Sequence, residues 1–156
     1  MSPAQLFVAL GKTPVGVFMR DSTWAFATVE AVHLLGLAVV GGAVVLLALA
    51  ASGLALRRQP LAVTAEGLLP VFVASLLAML TTGVLLVASK PYRYFLSDPF
   101  RAKLALLALG VALYLALHRA AVSGAAIRPA AVRAASAGLA LSWLGVGLAG
   151  RLIGLF

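Results

Sequence analysis

The chain carries few side chains able to do chemistry: two histidines, four acidic residues and twelve lysines and arginines in 156 residues. It has no cysteine, which removes disulfides, thiolate metal sites and redox thiols. The informative residues interrupt long apolar runs. Glu30 and His33 are one helical turn apart and so share a face. Gly36 continues that face, where a missing side chain leaves room for a flat ligand or a close-packed helix. Met79, Thr81, Thr82 and Gly83 cluster further on, Gly110, Tyr114 and His118 fall in one stripe, and Gly138, Ser142 and Gly145 form a small-residue stripe ahead of Arg151.

One chemistry these residues fit is haem b binding for electron transfer, with His33 as axial ligand and Lys103 and Arg151 holding the propionates. His33 and His118 are the two candidate metal ligands. At a rise of about 1.5 Å per residue, however, His118 lies about 27 Å along its helix and His33 only about 13 Å along its own, which speaks against a shared bis-histidine haem. Met79 matches His33 better in depth, although methionine is more often a packing residue. Other readings stay open: a neutral His33 hydrogen-bonded across helices, a Glu30–His33–Arg151 proton relay, or an accessory subunit whose Gly41-Gly42 and fourth-helix stripes pack against other chains as a homo-oligomer or larger membrane complex. Enzymatic chemistry has the least support, because no metal triad, activated nucleophile or phosphate-cradling loop is visible.

The elements that must position these residues are membrane helices. Apolar residues make up 63% of the chain and charged ones 10%, and mean hydropathy is +1.12, so the exterior has to be lipid. Stretches long enough to cross roughly 30 Å of hydrocarbon run over 24–56, 64–88, 99–122 and 130–156. The expected fold is all-α, an integral membrane four-helix bundle over 22–156. Ser22 or Thr23 is placed to cap the first span, Pro70 to kink the second, and Asp98-Pro99 to open the third as N-cap and first helical residue. Residues 1–21 hold two short pieces opening with Ser2-Pro3 and Thr13-Pro14, too short to span and expected to lie in the interface plane.

The net charge of +8 collects at the edges of the apolar runs, where anionic lipid headgroups, not nucleic acid, are the natural partner. Four spans put both termini on one side, and Arg57-Arg58 after the first span favours the outside for them. Counting depth, Glu30, Thr82 and Arg151 share a layer that Lys103 can reach, together with Thr81 as a polar cluster. Glu30 and Arg151 are therefore expected to lie close, directly or through water, because either charge alone is costly in hydrocarbon.

The segments Glu30-Ala31-Val32-His33-Leu34-Leu35-Gly36, Leu80-Thr81-Thr82-Gly83, Pro91-Tyr92, Pro99-Phe100-Arg101-Ala102-Lys103 and Ser142-Trp143 through Gly150-Arg151-Leu152-Ile153 resemble a family of small uncharacterised bacterial inner-membrane proteins with four spans. The resemblance covers most of the chain from Trp24 onward. It implies a multi-pass location in the bacterial inner membrane and implicates Glu30, His33, Lys103 and Arg151 without naming their task. More distantly, a bundle with a histidine in its first span is similar to the cytochrome b-like and copper-resistance membrane families, an analogy of fold.

Overall fold

A computed structural model describes residues 3–124 and 128–155. Among these residues seven α-helices follow one another: α1 (Pro3–Gly11), α2 (Pro14–Asp21), α3 (Thr23–Ala51), α4 (Leu61–Ser89), α5 (Pro91–Leu96), α6 (Asp98–Ser123) and α7 (Pro129–Leu155). Four of them, α3, α4, α6 and α7, are long and apolar enough to cross a membrane.

Local chemistry explains most of the boundaries. Ser22 Oγ accepts from the Ala25 N–H and starts α3, and Thr13 Oγ1 does the same for Gly16 at the start of α2. At α6 the cap is one residue earlier than Asp98-Pro99 implies. Ser97 is the N-cap, its Oγ accepting from Phe100 N–H at 3.2 Å, while Asp98 lies inside the first turn and pairs with Arg101 at 3.2 Å. An acid in the first turn still complements the helix dipole, so the boundary stands and only the capping atom changes.

The first span is shorter than its apolar run. It stops at Ala51 instead of continuing to 56, because Gly53 adopts a left-handed conformation at φ 75° and Leu54 N–H turns back to Leu49 O. That is a glycine helix stop, and Arg57 Nε donates to the Gly53 carbonyl beyond it. The second span begins at Leu61, directly after Pro60, and continues without a break in the helix through Pro70. Ser2 and Phe156 lie outside the described residues.

The long helices alternate in direction and pack as two hairpins, α3 with α4 and α6 with α7, with sparser contact across the α4/α6 and α3/α7 seams. Their core includes Val40, Val44, Leu47, Phe72, Tyr114, Leu139 and Val146. Phe72 and Tyr114 stack face to face at 3.6 Å across α4 and α6. Small residues on α6 and α7 are used inside the bundle. A Cβ on Gly110 would meet Ser142, one on Gly138 would meet Leu113, and one on Gly145 would meet Leu106. Gly41 lies under the Trp143 indole, whereas Gly42 faces open space. Outside the bundle, α1 and α2 pack on α4 and α5 near the end where α3 begins, with Phe7 against Phe95 and Phe100.

Candidate functional site

His33 is buried on α3, and both its ring nitrogens meet other helices. Nδ1 is 3.0 Å from Thr82 Oγ1 on α4. The Thr82 hydroxyl has one proton and donates it to the backbone of its own helix, at 2.8 Å from Ala78 O and 3.1 Å from Met79 O. Its lone pairs are what remain for His33, so Nδ1 carries the hydrogen and Nε2 is the free acceptor. Across the bundle Lys103 Nζ, from α6, stands 3.5 Å from Nε2. Gly83 makes this ring position accessible: a Cβ there would lie 3.3 Å from His33 Cε1.

Two cavities flank the pair. One, of about 280 Å³, is nearly all apolar and lies at the α4/α6 seam, between Met79, Leu80, Val84, Leu104 and Leu107, with Phe7 and Leu10 of α1 over it. The other, of about 260 Å³, lies at the α3/α7 seam and includes Glu30, Tyr94 and Arg151. His33, Gly83, Val87, Phe100 and Lys103 line both. The two hairpins thus enclose a slot at one end of the bundle, with a histidine on one wall and a lysine on the other.

The structure brings Glu30 and Arg151 to the same cavity, but no carboxylate–guanidinium contact joins them. Among the described residues the ion pairs are Arg20–Asp21 and Arg101–Asp98. Both Glu30 and Arg151 are exposed at the rim, so the burial cost that forces enclosed charges to pair does not apply in full. Lys103 is more enclosed, with its Nζ over Gly150 of α7 at 3.4 Å from the position a Cβ would take. Tyr94, on the short helix outside the spans, has its hydroxyl pKa raised by burial first; Arg93 opposes this and Glu30 reinforces it.

Other candidates fall elsewhere. Thr81 points away from the cluster and donates to Leu77 O at 2.9 Å on its own helix. Gly36 does not line the slot; it packs α3 on α4, with Met79 and Ser75 O within 3.6 Å of its Cβ position. Met79 belongs to the same hairpin as His33 and so stands beside it, while the wall opposite the imidazole is α6. His118 is 3.2 Å from Ala65 O, and Ala65 and Thr82 are about 26 Å apart along α4, so the two histidines occupy opposite ends of the bundle. No group of three or more His, Cys, Asp or Glu residues that could hold a metal ion occurs among the described residues.

Residues 5–156 match DUF6644, a family of unknown function. The chain belongs to this family. No curated protein and no solved structure matches it. For this DUF6644 protein the slot residues therefore have to speak for themselves. Tyr94 lines the slot without having stood out in the sequence, and Phe100 and Gly150 appeared there only within the matched segments, with no role attached. Tyr94 comes from the short α5 between the hairpins and Phe100 from the first turn of α6, where no periodicity marks a facing side, and Gly150 is one of many glycines in α7.

Proposed function

We propose that this DUF6644 protein binds haem b in the slot between its hairpins and acts as a membrane electron-transfer component. The observation that carries the reading is the presentation of His33. Its Nδ1–H is fixed by Thr82, as the distal ring nitrogen of a metal-ligating histidine usually is, and its Nε2 lone pair is directed across the slot. The residues fit such a group in chemistry. Lys103 and Arg151 supply cations for acidic side groups, Gly83 gives the imidazole clearance, and apolar walls suit a porphyrin face.

Size is the stricter test. Drug-sized and cofactor ligands take about 300–1,000 Å³, and each cavity alone is just below that range. The reading therefore requires the two to join, with Lys103 drawn back from between them. Bound haem would supply one-electron chemistry tuned by its ligands and by burial. The chain's own contribution is to orient the imidazole, to keep lipid from the iron and to anchor the carboxylates at the rim.

The test is an oxidised and dithionite-reduced absorption spectrum of detergent-purified protein expressed with ample haem, with a pyridine haemochrome assay for stoichiometry. A Soret band with sharpened reduced α and β bands, lost in His33→Ala and kept in His118→Ala, is expected. A colourless wild type, or equal loss in both variants, overturns the reading.

A second reading has its own observation in support. Lys103 is largely enclosed and has no acidic partner within 4.0 Å among the described residues. A cofactor-free site would use that cation to hold the anionic head of a membrane amphiphile in the rim cavity, with its chain in the apolar one.

A further inference from the structure

The apolar cavity opens to lipid. Leu80 and Val84 of α4 and Leu104 of α6 line it, and each is about half exposed. Val84 stands about 8 Å from the end of α4 and Leu104 about 9 Å from the start of α6, so the opening lies at hydrocarbon depth. Phe7 and Leu10 of α1 cover the cavity, and His33 and Lys103, which also line the rim cavity, form its inner end. We infer that this cavity binds a single-chain carboxylic acid entering sideways from the bilayer, with its carboxyl on Lys103 Nζ and His33 Nε2. The inference rests on the cofactor-free reading and gives its amphiphile a chemical class.

The polar pair matches a carboxyl. Lys103 Nζ is a donor, and Nε2 is an acceptor because Thr82 fixes the ring hydrogen on Nδ1. The two stand 3.5 Å apart, at the outer limit of a hydrogen bond, so neither is committed to the other. A carboxyl presents both complements side by side, its carbonyl oxygen for the ammonium and its hydroxyl for the imidazole, and reaches both nitrogens from within the apolar cavity. It also answers the charge, since Lys103 has no acidic partner within 4.0 Å among the described residues and an unpaired cation at this depth is costly. Size and route narrow the class. About 280 Å³ holds roughly nine groups of water or methylene size, which is one chain segment and not two. A carboxyl crosses the apolar mouth as the neutral acid, whereas a phosphodiester head stays charged and would have to be desolvated there.

The experiment places the full-length protein in phosphatidylcholine nanodiscs with three photoactivatable probes that share a mid-chain diazirine: palmitic acid, its methyl ester and a phosphatidylglycerol. Probe titrations and mass spectrometry of the digested protein give affinities and labelled residues. The acid is expected to label the residues lining the α4/α6 cavity and to be displaced by excess palmitate. It should bind about 10- to 100-fold more tightly than the ester, the scale of one hydrogen bond to a charged group. Lys103→Met should lose that advantage and Lys103→Arg keep most of it, while Val84→Trp, at the mouth and away from the polar pair, should block acid and ester alike. Equal affinity of acid and ester for the wild type, which needs no variant to be read, refutes carboxyl recognition. If phosphatidylglycerol alone labels the cavity in a Lys103-dependent way, the amphiphile reading stands and the carboxylic acid is refuted. If labelling by no probe depends on Lys103, both fall.

Discussion

Two buried polar side chains in this bundle behave in opposite ways. Thr82 is fully used: its proton goes to the α4 backbone and its lone pair to His33. Thr82→Val keeps the shape and removes the acceptor, so the imidazole loses its fixed tautomer. The account expects haem affinity to fall about 10- to 100-fold, the usual cost of losing such an outer contact, measured by hemin titration. An unchanged affinity would detach Thr82 from the site. The Tyr114 hydroxyl, by contrast, is buried with no hydrogen-bond partner among the described residues, while its ring stacks on Phe72. Tyr114→Phe keeps the stack and removes an unsatisfied polar atom. It is expected to leave stability unchanged or raise it by about 1 kcal/mol, read from thermal unfolding in detergent; a loss of that size would show that the hydroxyl has a partner.

At the scale of elements, the spans were legible because length and hydropathy alone identify them. Their ends were legible only where a capping residue stands out. Ser22 and Thr13 do; Gly53 does not, because the apolar run continues to Leu56 on the far side of the helix stop. The adjacent glycines of α3 separate packing from propensity. A Cβ on Gly41 would come 2.6 Å from Trp143 Nε1, a rigid ring with little room to give. Gly41→Ala should therefore cost about 1–3 kcal/mol by overpacking the α3/α7 seam. Gly42 has open space around it, so Gly42→Ala should gain up to about 1 kcal/mol from helix propensity. Parallel melting curves of the two variants check the pair, and equal effects would contradict the packing described.

For the whole molecule, depth counting correctly collected Glu30, His33, Thr82, Lys103 and Arg151 at one end and sent His118 to the other, because rise per residue converts sequence position directly into height. Azimuth was harder. Hydropathy is nearly uniform around a lipid-facing helix, so the sequence did not reveal that Thr81 and Gly36 turn from the slot. Glu30 and Arg151 were expected to lie close, directly or through water; they share one cavity without a direct ion pair, both standing exposed at its rim. Topology has a clean test, since the chain lacks native cysteine. With termini outside, a single cysteine at Lys12 should react in intact cells with a membrane-impermeant maleimide and one at Gln59 should not; the opposite pattern would reverse the orientation.

The most direct test of the central claim is an experimental density map of the protein purified from haem-supplied cells. The account requires planar density between the α3/α4 and α6/α7 hairpins, against His33 Nε2, with edges towards the two seams. Density elsewhere, or a slot closed by the His33–Lys103 contact with no planar group in it, would contradict the account.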